Sequence, residues 1–340
     1  MTEKKLNPTR RDILLGTGAT VTALSLADLL KPFEALAETP KKGGKFVYAG
    51  IPSSKHKTLK KAKHPYYGLE IRTTITYDRL TWVDENLNVV PQLATSWEAI
   101  EDDQTVWEAE IREGVKFHDG RDLTVEDVVA SYNMHKHKKL GTSFSKKLLK
   151  DIEKVGPQKV RFHLLSPNSE LPWWMAEYRQ AIMPADELSK MGYSGNGTGP
   201  FKFVKIDPGR RVIYEPNENY WGDGPYLDQL EVISQKGVDP VNAYLAGQID
   251  AILQADPGLI GQFKERDDTV VDFATSGDQI LMILPKVDGS VFSDRRIRQA
   301  LSLALDREQI VRIAYNGLGW VSNDSHMHAA SPDFLAKSPI

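Results

Sequence analysis

Residues 115–133 read VKFHDGRDLTVEDVVASYN, with His118, Arg121 and the acids Asp119, Asp122, Glu126 and Asp127 all inside a short span. So many ionisable groups read either as a reaction centre or as the punctuation of a strand, a turn and a helix. Each acid but one has local structural work available. Asp119-Gly120 is a turn signal after the strand-like VKF. Thr124 followed three residues later by Asp127 is a capping pattern, in which the threonine oxygen accepts an otherwise orphaned backbone N–H. Glu126 and Asp127 sit in the first helical turn, where negative charge suits the helix dipole. Val128, Val129 and Tyr132 then supply an inward apolar face. His118 has no partner that the sequence identifies, and no nucleophile accompanies it. The stretch therefore reads as scaffold, not as a catalytic centre.

Outward from that stretch the chain keeps a mixed α/β pattern. Strands are expected at residues 46–49, in TVWEAEIREGV (105–115) and at KVRFHLL (159–165). GPFKFVKID and RVIYEPN pair as a hairpin around Asp207-Pro208-Gly209. Near the end, Ser293 is expected to cap a helix with Ile297, Leu301, Ala304 and Leu305 inward. Asp306 caps a second one, with Gln309 three residues on and Ile310, Ile313 and Ala314 inward.

The 340 residues allow two domains, and 41% hydrophobic with 26% charged residues is an ordinary globular balance. The net charge of −3, without a basic half, gives nucleic acid no face to bind. There is no cysteine, which removes disulfides, thiolate metal sites and cysteine nucleophiles.

The N-terminus has the layout of a secretory signal. Arg10-Arg11 precede an uncharged run at 13–27, and Ala35-Leu36-Ala37 is a small-x-small cleavage site. The arginine pair points to the twin-arginine route. The run is 15 residues long, and a spanning helix needs about 20. Cleavage after Ala37 would remove five positive and four negative side chains and leave −4.

Other chemical motifs fall short. His135-x-His137 lies on or just after a helix, where residues two apart do not face each other, and the lysines beside it mark a solvated surface. His326-x-His328, with Asp324 nearby, shares one face of an extended strand but lacks a third ligand. GNGTGP (195–200) has no Gly-Lys-Ser/Thr of a phosphate loop, and Trp173-Trp174 reads as packing. No Gly-x-Ser-x-Gly and no helical His-Glu-x-x-His is present.

Five segments in a fixed order carry a resemblance. They are YDRLTWVDENLNVVPQLATSWE (77–98), WEAEIREGVKFHDGRDLTVEDVVASYN (107–133), GTGPFKF (197–203), YEPNENYWGDGPYLDQLEV (214–232) and FSDRRIRQALSLALDREQIV (292–311). Together they resemble the extracytoplasmic solute-binding proteins of family 5, which include dipeptide and oligopeptide binders of ABC transporters.

The resemblance implies an α/β, two-lobed periplasmic-binding-protein fold, class II-like, with mixed sheets and an extra inserted subdomain. Lobe I would combine 43–78 and 183–275, the subdomain would be 79–182, and lobe II would begin at 276. Members usually run well past the Ala-Leu-Asp-Arg helix, so the second lobe is expected to be truncated here. By position the ligand would meet Tyr66, Tyr67 and Gly68, then Phe144, then Thr275, Ser276, Gly277 and Asp278. The crossover at 275–278 lacks the aromatics common in the family. The implied ligand is a peptide first, with nickel, opines or sugars as further solutes. The implied partners are an ABC permease and its ATPase subunits. No catalysis, cofactor, resident metal or nucleic acid is expected, and the protein would be a periplasmic monomer. The competing readings are a secreted metal-dependent hydrolase using Asp324, His326 and His328, and a tethered sensor domain.

Overall fold

The computed structural model describes residues 40–50, 68–84, 86–137, 143–190, 195–207, 210–234, 239–253, 259–264, 266–271, 286–319 and 321. Two compact units emerge, Ala37–Gln254 and a second that contains Ala255–Ile340. The expected export signal at 1–37 and Asp324, His326 and His328 lie outside the described residues.

The opening stretch folds as its residues dictate. Val115 and Phe117 are buried, and the Phe117 and Arg121 backbones bond across the turn at 2.8 Å. Gly120 stands at φ 89°, a conformation that costs glycine nothing. Helix α1 is Gly68–Thr76 and α2 is Val125–His135. Thr124 caps α2 in a complete capping box with Asp127. Val128 and Tyr132 are fully buried, while Val129 is only half-buried.

A second row on α2, Asp127, Ser131 and His135, is also buried. Residues four apart share one helix face, and here all three bond the backbone of one neighbouring segment. Asp127 accepts from the Ala185 N–H at 2.8 Å, Ser131 accepts from that of Met183 at 2.9 Å, and His135 Nε2 lies 3.0 Å from the Ala181 carbonyl. His135 is thus a core residue, not part of a solvated surface. Only His137 of that pair is exposed.

The first unit holds two main sheets. Strands β1 (Lys45–Gly50), β8 (Phe201–Asp207), β9 (Arg211–Pro216), β10 (Gln229–Ser234) and β11 (Ala251–Ile252) form a mixed sheet in the order β11-β1-β10-β9-β8. β1 runs parallel to β10 and β11, and the other pairs are antiparallel. Alternation along β1 and β10 sends side chains to opposite faces. Ile71 and Ile75 of α1 pack with Tyr48, Leu230 and Val232 on one face. Ala243 of α5 (Pro240–Leu245) packs with Ala49 on the other.

The other sheet is antiparallel, from β4 (Ala94–Ala99), β5 (Val106–Ile111), β6 (Leu149–Lys154) and β7 (Lys159–Leu164) in the order β4-β5-β7-β6. Trp107, Ala109 and Ile111 of β5 and Val160, Phe162 and Leu164 of β7 are buried, as are Ala94 of β4 and Leu149 and Ile152 of β6. They pack with α2 and with α4 (Leu171–Met175) in one core. The Tyr132 ring stands edge-on to Phe162 at 5.0 Å and tilted against Trp174 at 5.5 Å. Trp174 is therefore packing, whereas Trp173 remains 43% exposed. The opposite face carries the pairs Arg161–Glu108 at 2.7 Å, Lys159–Glu110 at 3.0 Å and His163–Glu153 at 3.0 Å. A short antiparallel pair, β2 (Thr81–Val83) with β3 (Val89–Pro91), leads into this sheet.

The second unit departs from the sequence reading. After the short helix α6 (Ile260–Lys264), helix α7 (Arg295–Ala304) is capped by Asp294, whose side chain accepts from the Arg296 N–H, and not by Ser293. Ser293 instead closes the preceding 3-10 turn, donating its hydroxyl to the Ser290 carbonyl at 2.8 Å. Leu305 lies past the helix in extended conformation. Helix α8 (Arg307–Ala314) does start on an Asp306 cap that accepts from Gln309. The expected inward faces are only partly covered: Leu301, Leu305 and Ile310 are half-buried, but Ile297 is 40% and Ile313 74% exposed, and Ala304 and Ala314 are exposed too. Among the described residues no strand follows β11. No described helix is long and apolar enough to cross a membrane.

Candidate functional site

Of the eight residues that the resemblance assigns to a ligand, six lie outside the described residues: Tyr66, Tyr67, Thr275, Ser276, Gly277 and Asp278. Gly68 is the first residue of α1. Phe144 is the second residue of α3 (Ser143–Leu148), and its side chain is outside the described set. What the structure describes in detail is the frame at the other end of α1, where Thr76, Tyr77 and Asp78 meet the glycine-rich stretch and the opening turn.

Gly197 and Gly199 press directly on the end of α1. A Cβ on Gly197 would stand 2.0 Å from the Thr76 carbonyl oxygen, and one on Gly199 would stand 2.7 Å from the Thr76 carbonyl carbon. Only the absence of a side chain permits that approach. The Gly199 N–H then donates to the Thr76 carbonyl at 3.0 Å, and the Gly195 N–H donates to the Tyr77 hydroxyl at 2.6 Å. GNGTGP is thus a backbone clamp on α1.

His118 completes the clamp from the opposite side. Its backbone N–H donates to the Gly197 carbonyl at 2.8 Å. Its ring faces three backbone groups of the same loop: Nε2 is 3.0 Å from the Gly199 carbonyl, and Nδ1 is 3.2 Å from the Gly195 carbonyl and 3.3 Å from the Gly197 nitrogen. Burial pushes the imidazole pKa down, opposed by those two carbonyls.

Asp78 is the hub, at 1% exposure. Its Oδ2 accepts from Thr198 Oγ1 at 2.9 Å and from Trp221 Nε1 at 2.8 Å, and its Oδ1 accepts from Gln92 Nε2 at 2.8 Å. Gln92 is held in that orientation because its Oε1 accepts from the Arg79 N–H at 2.9 Å. Arg112 stacks over the Trp221 ring at 4.4 Å and donates to the Gln92 carbonyl at 3.0 Å. Burial pushes the Asp78 carboxyl pKa up, and the Trp221 and Thr198 bonds and the two arginines pull against it. These partners come from the first sheet's approaches (Thr198, Trp221) and from the edges of the second (Gln92, Arg112), so Asp78 ties the two sheets together. The sequence alone does not single out Asp78: nothing inside the run TITYDRL (74–80) marks its acid as buried.

This arrangement brings together no nucleophile with a base, and no cluster of three or more metal-ligating groups occurs among the described residues. It is a hydrogen-bonded frame between the two sheets. The fold is that of periplasmic binding proteins: AppA of Bacillus subtilis, solved in complex with a nonapeptide, superposes with a TM-score of 0.65 at 27% identity over 83% of this chain and 58% of that one. NikZ of Campylobacter jejuni, solved with Ni(L-His), gives 0.66 at 25% identity over 82% of this chain and 57% of its own.

The chain belongs to the bacterial extracellular solute-binding proteins of family 5, whose model matches residues 88–339. It is 31% identical over 268 residues to the oligopeptide-binding protein AppA of Bacillus subtilis (strain 168), covering 72% of this chain and 47% of that protein. It is 27% identical over 260 residues to the dipeptide-binding protein of Escherichia coli (strain K12), covering 68% and 48%. The chain thus spans about half the length of the curated relatives it matches.

Proposed function

We propose that the protein is the substrate-binding component of an ABC transporter, capturing a di- or oligopeptide outside the cytoplasm and delivering it to a membrane permease with its ATPase subunits. The observation that carries this reading is the family match over residues 88–339, joined by 31% identity to an oligopeptide-binding protein. Affinity would come from backbone hydrogen bonds, aromatic contacts and closure of two lobes over the ligand, with no covalent step and no cofactor. Tyr66, Tyr67, Gly68, Phe144, Thr275, Ser276, Gly277 and Asp278 are the proposed ligand-facing residues. Lobe I is proposed at 43–78 plus 183–275, the inserted subdomain at 79–182 and the start of lobe II at 276–340. Support for the subdomain is that all of β4 to β7 falls within it. Export is proposed through the Arg10-Arg11 signal, with a periplasmic monomer as the product.

A non-peptide solute is the second reading, favoured by the likeness to a structure that holds Ni(L-His). A thermal-shift screen with di- and oligopeptides, Ni²⁺ with and without histidine, opines and oligosaccharides separates the two. Ligand at about 100 times its dissociation constant adds about 2.7 kcal/mol of stability. A shift with peptides alone and no turnover supports the proposal. A shift with another class moves the assignment to that class, and conversion of any ligand overturns the binding-only role. Mass spectrometry of the exported protein tests the signal: a mature start at Glu38 supports cleavage, and a retained N-terminus overturns it.

A further inference from the structure

We propose that His118 is a proton-operated latch on the 195–199 loop, exchanging one backbone partner for another when its ring takes up a proton. The inference stands on the geometry around the ring and does not depend on the ligand assignment.

Nε2 faces the Gly199 carbonyl at 3.0 Å, an acceptor, so Nε2 carries a hydrogen. A neutral ring then has a bare lone pair on Nδ1. That lone pair accepts the Gly197 N–H, 3.3 Å away, but also faces the Gly195 carbonyl oxygen at 3.2 Å, which offers it nothing. Protonation reverses both relations. Nδ1–H donates to the Gly195 carbonyl, and the Gly197 N–H loses its acceptor. Each protonation state bonds one backbone group and gives up the other, so the loop has two alternative arrangements set by one proton.

The loop matters because it grips the end of α1. Gly195 bonds the Tyr77 hydroxyl at 2.6 Å, and Gly199 bonds the Thr76 carbonyl at 3.0 Å. Gly197 therefore lies between two residues that are each bonded to the end of α1. Among the described residues the charged groups facing the ring are Asp119 from its own turn and Lys202 from β8. Asp119 is already paired with Arg121 at 2.7 Å, and Asp186 and Glu187 sit behind that arginine at 2.9 and 3.4 Å. Lys202 opposes a proton on the ring and Asp119 favours one. Burial holds the folded pKa below the ordinary 6.5. The unfolded chain binds the proton first, so His118 contributes stability that is full above that value and is lost as the pH falls towards the folded one.

The test uses the full 340-residue chain, labelled with ¹⁵N, from about pH 8 down to about pH 4. Imidazole ¹⁵N shifts report the tautomer, and hydrogen-exchange protection factors report the Gly197 and Gly199 amides. The latch predicts an Nε2–H tautomer at neutral pH. It also predicts that Gly197 protection falls at least tenfold in step with the His118 titration while Gly199 protection holds. In a His118→Gln variant, Gly197 protection should not follow pH. An Nδ1–H tautomer, constant Gly197 protection through the titration, or joint loss at Gly197 and Gly199 would each overturn the proposal. Joint loss would mean that the loop opens as a whole.

Discussion

Replacing Asp78 with asparagine keeps the shape of the hub and removes one acceptor. Three donors converge on the carboxylate, from Thr198, Trp221 and Gln92. The indole N–H cannot turn into an acceptor. Gln92 cannot flip without facing its own oxygen away from the Arg79 N–H that it accepts. Whichever way the new amide is placed, its NH₂ meets a donor. One buried donor left unmatched costs about 1–3 kcal/mol, and weakening the remaining charge-assisted bonds costs about 1 kcal/mol more. Arg79 also loses its buried counter-charge, partly offset by the lower cost of burying an amide. The expected net loss is about 3 kcal/mol, read as a drop in urea midpoint at unchanged slope. The pH dependence supplies a second readout. Asp78 has its carboxyl pushed above its ordinary 3.8 in the fold. Between those values the folded state holds more protons than the unfolded one, so this group's contribution falls as the pH rises. The gap between wild type and Asp78→Asn should therefore be widest in acid and narrow towards neutrality. A variant within about 0.5 kcal/mol of wild type, or a gap that widens with pH, refutes the hub.

Three further perturbations probe the frame. Gly197→Ala would drive a methyl group to within 2.0 Å of the Thr76 carbonyl oxygen, so denaturation should show a loss of at least about 3 kcal/mol. Thr124→Ala removes half of a capping box on α2, and the same assay should show a loss of about 1 kcal/mol. Tyr132→Phe deletes a hydroxyl that is buried without a hydrogen-bond partner. Its melting point should be unchanged or higher, the gain being up to about 1 kcal/mol; a clear loss would mean that the hydroxyl is satisfied.

Local signals carried the reading of the sequence a long way. The turn at Asp119-Gly120, the Thr124 cap, the alternation of β5 and the β8–β9 hairpin each rest on residues close in the chain, where turn and capping chemistry decide. Asp78 was invisible because its partners lie 14, 120 and 143 positions away. His118 looked unpartnered for the same reason, since the groups around its ring are 77 to 81 residues distant. The row of Asp127, Ser131 and His135 was masked by its polarity: a spacing of four that would mark a core face in apolar residues here marks a seam of bonds to backbone. On α7 and α8 the apolar periodicity was read correctly as a pattern, yet a pattern names a face and not what covers it.

The outer strand of the four-stranded sheet has a consequence for life at high concentration. β6 reads LKDIEK, and Lys150, Asp151, Glu153 and Lys154 are all exposed around the inward Leu149 and Ile152. An unpaired strand edge invites a strand from another molecule. Here an incoming strand would have to strip water from four charges of both signs while Lys154 and Asp151 are already engaged with Glu126 and Lys136. The same residues that let this edge end the sheet also raise the cost of extending it with a strand from a neighbouring copy.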